Sequence, residues 1–482
     1  MEQPAGVQIG KRAFFQSLII LFVLMLGAGV LTLTVPAGQY DRTLVEGREV
    51  IEPDSFRQTE RPDYPAWRWL TAPVEVLWGP DSLTIITILV FLLMVGSAFA
   101  VMDRSGILKA AIGRIVRAFG GRKYLLLLVV SLFFMLLGAF FGIFEEVVPL
   151  VPLMIALAYM LGWDSLVGLG MSILATNLGF SAAITNPFTL GVAQKLAGLP
   201  LFSGAWLRVL IFLVVYAVLA VFLVWYAHKI DRSPEASPVF AGDREARSRY
   251  AGADLAAGAP SAQLGRAGAW LLACLALIGV VLVAAPFVPP LSQFSLPLVG
   301  VLFFAAGVGA GWLSGMGGRA LGKAVVQGLA GIAPSIPLIL MAASIKHIVA
   351  EGGIMDTILH GASTAFSSAS PVAAVLLVYL LALVIEFFVA SGSAKAFLVM
   401  PILLPLGDLV GVTRQATVTA YCFGDGFSNL AYPTNPVLLI CLGLTVVSYP
   451  IWLRWTARLW LAMLAVTVVF LAIAVGIGYG PF

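Results

Sequence analysis

Apolar runs of membrane-crossing length recur along this chain, and the polar residues that interrupt some of them matter as much as the runs. A helix needs about 20 apolar residues to cross the hydrocarbon core. Plain runs of that kind lie at residues 15–35, 83–102, 206–226, 267–286, 294–313, 326–349 and 455–479. Four other segments are broken. Residues 124–161 are too long for one crossing and carry Gly138, Gly142, Glu145, Glu146, Pro149 and Pro152 near their middle. Residues 371–406 carry Glu386, Ser391, Gly392, Ser393 and Lys395 in the same way. Each predicts a re-entrant helical hairpin, the first with its tip at residues 142–146, the second near 391–393. Residues 166–197 are interrupted at 177–187, and residues 413–447 around Asp425 to Pro436. Each predicts a crossing whose middle is unwound. The pattern therefore predicts an all-α polytopic membrane protein.

The two halves echo each other. Pro152 precedes Asn186 by the spacing that separates Pro401 from Asn435, and an offset of 249 residues also carries Gly162 onto Gly411. A Trp-Leu-Arg follows each stretch, at Trp206-Leu207-Arg208 and Trp452-Leu453-Arg454. The expectation is two repeats of inverted topology, each with one hairpin and one unwound helix. Such repeats meet at the bilayer midplane in secondary transporters. Residues 1–228 form the first half in this reading and residues 267–482 the second. Residues 229–266, rich in Ala, Gly, Ser and Pro, read as a flexible cytoplasmic connector between them.

Charge refines the topology. Residues 104–123 repeat apolar positions at helical spacing and carry Arg104, Lys109, Arg114, Arg117, Arg122 and Lys123, which predicts a surface helix on the cytoplasmic side. The corresponding segment at 352–366 has no Lys or Arg, as expected of an external one. Lys11 and Arg12 place the N-terminus in the cytoplasm in this reading, with a retained first crossing. Residues 36–79 read as a polar loop. Of the 482 residues, 60% are hydrophobic and 11% charged, against about 25% charged in soluble domains. A net charge of +4 gives no reason to expect a nucleic-acid partner. Cys274, Cys422 and Cys441 lack metal-ligand spacing and read as packing residues.

Unwinding a helix in the membrane frees backbone groups, which is tolerated where they line a cavity or meet protein partners. Freed carbonyls ligate cations, and helix N-termini hold carboxylates. The candidate substrate-binding residues are accordingly Glu145, Glu146, Asn177, Ser181, Thr185 and Asn186 from the first half. From the second they are Ser391, Gly392, Ser393, Lys395, Asp425, Ser428, Asn429, Thr434 and Asn435. A Na+ site is expected near Gly142, Asn186, Ser391 and Asn435, with H+ as the alternative coupling ion and no cofactor. Acids at this depth must face a cavity or a partner. Glu145, Glu146 and Asp425 would hold a substrate ammonium, a cation or a proton. Lys395 would meet a substrate carboxylate, or else pair internally with Asp425 or Glu386.

The stretch SGSAKAFLVMPILLPLGDLVGVTRQATVTAYCFGDGFSNLAYPTNP, with GFSAAITNPFTLGVAQKLAGLPLFSG and VPAGQYD, resembles the YfcC family of bacterial membrane proteins. That family is grouped with the C4-dicarboxylate anaerobic carriers and some arginine/ornithine antiporters. The resemblance implies a dimer in the cytoplasmic (inner) membrane, each protomer with a scaffold and a moving transport part. It implies elevator-type transport of a small carboxylate-bearing metabolite, a C4-dicarboxylate or an amino acid, by ion coupling or exchange. Dicarboxylate relatives carry Ser-Asn-Thr at both hairpin tips. Ser391-Gly392-Ser393 is close to that pattern, whereas Gly142-Ile143-Phe144 followed by Glu145-Glu146 departs from it. An ion channel is the remote alternative. The chain has no nucleotide-binding loop and three histidines, so an enzyme is not expected.

Overall fold

A computed structural model describes residues 11–45, 48–52, 55–119, 121–251, 262–284, 288–364 and 369–480. Ten of its helices are long and apolar enough to cross a membrane. Helix α1 (Lys11–Thr34) leads into two antiparallel two-stranded pairs, β1 (Gly38–Gln39) with β4 (Arg57–Gln58), and β2 (Arg42–Val45) with β3 (Arg48–Ile51). The sequence pattern did not predict these strands in the polar loop. Arg42 anchors them, donating to both carboxylate oxygens of Asp356 at 2.8 Å. Helix α2 (Arg68–Glu75) follows, then α3 (Ser82–Arg104) and the amphipathic α4 (Ile107–Ala118).

The first hairpin descends through α5 (Lys123–Leu136) and a looser turn at Leu137–Phe141, reverses at Gly142, and returns through Glu145–Leu150 and α6 (Val151–Met160). The next crossing, α7 (Ser165–Leu169) to α8 (Ala175–Ala182), stays helical past Asn177 and Ser181. Its break is shorter and later than the sequence suggests, at residues 183–186, after which Pro187–Gly191 and α9 (Val192–Leu196) resume the helix. Then come α10 (Ala205–Arg232), α11 (Phe240–Ala251), α12 (Ala262–Ala284) and α13 (Pro289–Leu313). The run at 326–349 is two helices, α14 (Gly318–Ile332) and α15 (Ser335–Glu351), split where Pro334 removes a backbone donor. The short α16 (Met355–Thr364) precedes the second hairpin, α17 (Pro371–Glu386) and α18 (Gly392–Leu409). Helix α19 (Arg414–Ser428) breaks at residues 429–435 before α20 (Pro436–Gly443), and α21 (Tyr449–Gly476) ends the described fold.

Side-chain burial separates lipid-facing from protein-facing helices. Val221 on α10 and Leu461 on α21 are 71% and 67% exposed, as expected of surfaces whose solvent is hydrocarbon. The interrupted crossing from Ser165 to Leu196 is enclosed over most of its length, from Ser165 to Ile184 without an exposed residue. Small residues let it seat closely. A side chain on Gly138 would run into the Thr176 carbonyl, and one on Gly179 into the Met135 carbonyl, so α5 and α8 touch backbone to backbone.

The expected flexible connector has structure in its first part. Asp243 of α11 is fully buried, accepting from the Tyr159 hydroxyl at 2.7 Å and the Ser165 amide at 2.8 Å. Asp164, which caps α7 through the Val167 amide, also accepts from Tyr226 and from Ser237 in the connector. Arg247 donates to the Gly162 carbonyl. These polar anchors outweigh the Ala, Gly and Ser content that suggested a loose chain. Residues 252–261 of that connector lie outside the described residues, and 262–266 begin α12. Burial, the largest influence, pushes the Asp243 carboxyl up to about 6, against the opposing pull of its two donors.

Candidate substrate cavity between the hairpin tips

Both hairpin tips end at one cavity of about 150 Å³. The first tip contributes Gly142, Phe144, Glu145 and Glu146, and the second Ala390, Ser391, Gly392 and Ser393. Phe180, Phe188, Thr189 and Asn429 come from the interrupted helices, and Ser295 from α13. Gly142 turns the first tip with φ +66, and a side chain there would collide with the Asn186 amide oxygen, so only glycine closes this turn.

The two adjacent acids differ in setting. Glu145 is exposed to the cavity and makes no ion pair among the described residues. Glu146 is half-buried; it accepts from Ser295 at 2.8 Å, and from the Phe144 amide at 3.4 Å. Ser295 is a contact no local pattern could have revealed, because α13 is more than 140 residues further along. No Lys, Arg or His belongs to the lining.

On the second tip, Ser391 caps α18 by accepting from the Ala394 amide, so the start of an 18-residue helix opens on the cavity. Its first-turn N–H groups carry the positive end of the helix dipole. Behind Gly392 lies a buried ionic cluster. The Lys395 ammonium pairs with Glu386 and, at 2.8 Å, with Asp425. None of the three is more than 1% exposed. Of the two readings for Lys395, internal pairing is the one the geometry has. Lys395 and Asp425 are not part of the cavity lining.

The Thr-Asn-Pro sequences turn out to be helix starts. Asn186 accepts from the amides of Phe188 and Thr189, and Asn435 from that of Val437, each with proline at the first helical position. Their side-chain oxygens are thereby engaged in capping. Of the four residues expected around a Na+ ion, Gly142 and Ser391 line the cavity, whereas Asn186 and Asn435 cap helices beside it. Thr185 locks the first break to the first hairpin through the Phe140 carbonyl at 2.9 Å. Ser181 and Ser428 bond back to carbonyls one turn earlier in their own helices. Asn177 is buried on α8 with neither amide atom bonded among the described residues, and the Thr434 hydroxyl is in the same state. Asn429 reaches the cavity and accepts from Asn435 at 3.0 Å.

Sequence reasoning missed Thr189 and the rings of Phe144, Phe180 and Phe188, whose apolar character hid them among packing residues. It also left Arg208 unassigned. That guanidinium is buried, donating to the carbonyls of Ile184 in the first break and of Phe202 and Ser203 beyond it, and to Tyr479.

Enclosed interrupted helices, two hairpin tips and a polar cavity between them, within ten apolar crossings, define an integral membrane carrier. The sequence profile of the C4-dicarboxylate anaerobic carriers (DcuC) matches residues 14–476, and the chain belongs to that family. It is similar to YfcC of Escherichia coli, provisionally named a basic amino acid antiporter, with 31% identity over 93% of this chain and 94% of that one. It is also similar to an uncharacterised protein of Haemophilus influenzae, with 25% identity over 81% of this chain and 76% of the other. Among solved structures, the YdaH transporter of Alcanivorax borkumensis aligns over 97% of this chain and 98% of its own, with 19% identity and a TM-score of 0.41. MtrF of Neisseria gonorrhoeae, described within a class of antimetabolite efflux pumps, aligns over 96% and 94%, with 18% identity and a TM-score of 0.40.

Proposed function

We propose that this carrier exchanges amino acids with a cationic side chain across the membrane. One observation carries the reading: the cavity between the tips contains two carboxylates, Glu145 and Glu146, and no cationic side chain in its lining. A dicarboxylate brought there would meet like charge at close range, while an ammonium or guanidinium would meet opposite charge. The start of α18 at Ser391–Ser393 supplies N–H groups for the substrate α-carboxylate. Phe144, Phe180 and Phe188 suit the methylene stem and the cationic head. The provisional name of the E. coli relative points the same way.

Alternating access by two inverted repeats is part of this proposal. At the offset of 249 residues, Gly162 and Gly411 both have positive φ, Asp164 and Thr413 are both N-caps, and so are Asn186 and Asn435. The foot of the first hairpin bonds to the connector, whereas the foot of the second, at Asp408 and Arg414, meets the end of α9 at Ala197. These different neighbours are what hairpins opening towards opposite faces would have, and they support our reading of an elevator-type movement of the hairpins and interrupted helices against α3, α13 and α14. We extend the proposal to a homodimer in a bacterial cytoplasmic membrane, with the N-terminus and the face bearing α4 on the cytoplasmic side.

Proteoliposomes loaded with unlabelled arginine test the function. Labelled arginine should enter by counterflow, lysine and ornithine should compete, and succinate should not. Counterflow of succinate with no response to arginine would refute the reading.

A further inference from the structure

We propose that the buried trio Glu386, Lys395 and Asp425 is a binding site for one exchangeable proton, and that this proton leaves when a cationic substrate occupies the tip cavity. The trio joins three elements: the last residue of α17, the first turn of α18 and the last turn of α19. Lys395 has salt bridges to both carboxylates. Two carboxylates and one ammonium leave one uncompensated negative charge, fully enclosed. An unpaired charge inside a membrane protein is costly enough that it is neutralised by a counter-charge or a proton. The second Glu386 oxygen and both Asp425 oxygens have no hydrogen-bond partner among the described residues, although Asp425 keeps its ion pair with Lys395. A bare buried oxygen of that kind is where a proton removes the most unfavourable energy.

The link to the cavity is geometric. Gly392 lines the cavity on one side and faces Asp425 on the other. A Cβ on Gly392 would lie 2.9 and 3.0 Å from the two Asp425 oxygens. The Gly392 backbone, with the Thr189 methyl packed beside it, therefore forms a thin wall between the trio and the cavity. The Gly392 carbonyl is held by the Tyr421 hydroxyl, which fixes this thin wall in place. The other titratable groups around the trio are Glu145 across the cavity and Tyr421 and Cys422 on α19, with Arg208 of α10 beyond Cys422. Arg208 is occupied by backbone carbonyls. An incoming substrate cation is thus the positive charge that competes with the proton. Its arrival lowers the cost of the ionised trio, and the proton passes to solvent water on the side to which the cavity is open, the carboxyl O–H breaking as an O–H to water forms. No other covalent bond changes.

The site half of this inference stands on the trio alone, and the coupling half rests on the cationic-substrate reading above. The test uses the full-length protein with two readouts. The first is the infrared C=O band of protonated carboxyl groups in the purified protein across neutral pH. The wild type should show a component that disappears in Asp425→Asn and in Glu386→Gln, since each leaves a neutral ion pair that needs no proton. A band unchanged in both variants overturns the site; the second variant serves if the first does not fold. The other readout is the number of protons moved per arginine, followed with a pH dye inside liposomes. That ratio should fall about tenfold in Asp425→Asn, in the usual range of site-to-site coupling. A merely structural defect would slow both fluxes and leave the ratio alone. An unchanged ratio, or wild-type arginine entry with no proton movement, overturns the coupling. Absence of any arginine transport with the infrared component present retires the substrate reading and the coupling with it, while the proton site stands.

Discussion

The two interrupted helices meet one physical problem with different chemistry. In the first break, at residues 183–186, the Ile184 carbonyl is served by a buried cation, Arg208. In the second, at residues 429–435, the Leu430 carbonyl accepts from the Trp452 indole at 2.7 Å and the Ala431 carbonyl from the Tyr449 hydroxyl at 2.7 Å. Arg208 and Trp452 belong to the two Trp-Leu-Arg sequences, with their roles exchanged. Trp206 is exposed while Trp452 is buried; Arg208 is buried while Arg454 is exposed. The difference shows where each half keeps its charge. The first has a fixed cation at the break and open acids at the tip. The second has neutral donors at the break and the Glu386–Lys395–Asp425 trio behind the tip.

Substitutions break this comparison in graded steps. Arg208→Met should cost most, on the order of 3 kcal/mol or more, because it strands several buried carbonyls at once. Melting of the detergent-solubilised protein reads the loss, and a variant that melts like the wild type would mean that the break needs no cation. Trp452→Phe removes one neutral donor and should cost about 1–2 kcal/mol in the same assay. A loss equal to that of Arg208→Met would erase the contrast between the breaks.

The connector adds a pH test. The Asp243 carboxyl, held up near 6 in the fold, ionises earlier in the unfolded chain, near its usual 3.8. The folded state therefore binds more proton between those values. Its stabilising share is complete below about pH 4 and is lost as pH rises through 6. Asp243→Asn, which copies the protonated form, should flatten that part of the stability profile by about 1–3 kcal/mol. Limited proteolysis of the connector at pH 5 and pH 7.5 reads it, and a wild-type connector equally protected at both values would contradict the assignment. The smallest effect is expected from Arg454→Gln, within about 0.5 kcal/mol, as usual for an exposed site. A large loss there would show that the two Trp-Leu-Arg sequences do equivalent work after all.

Much of this architecture is legible in the residues. Polar and proline breaks at mid-run place both hairpins and both unwound helices, because backbone left unpaired in hydrocarbon leaves few alternatives. What stays hidden depends on partners distant in sequence. Nothing near Glu146 announces Ser295. Lys395 reads equally as a substrate ligand or an ion-pair partner until Glu386 and Asp425 are seen against it. Asn186 and Asn435 look like ligands because capping and coordination use the same oxygen. Asp164 and Asp243 give the connector an order that its small-residue composition conceals, and the strands beside α16 depend on Arg42 finding Asp356.

Direct binding tests the central claim, that an acidic cavity between the tips receives a cationic amino acid. Titration calorimetry on the purified protein should show arginine binding that weakens at least about tenfold, or about 1.4 kcal/mol, in Glu145→Gln, with no heat from succinate. Succinate binding that strengthens in Glu145→Gln, with arginine silent in both proteins, would contradict it.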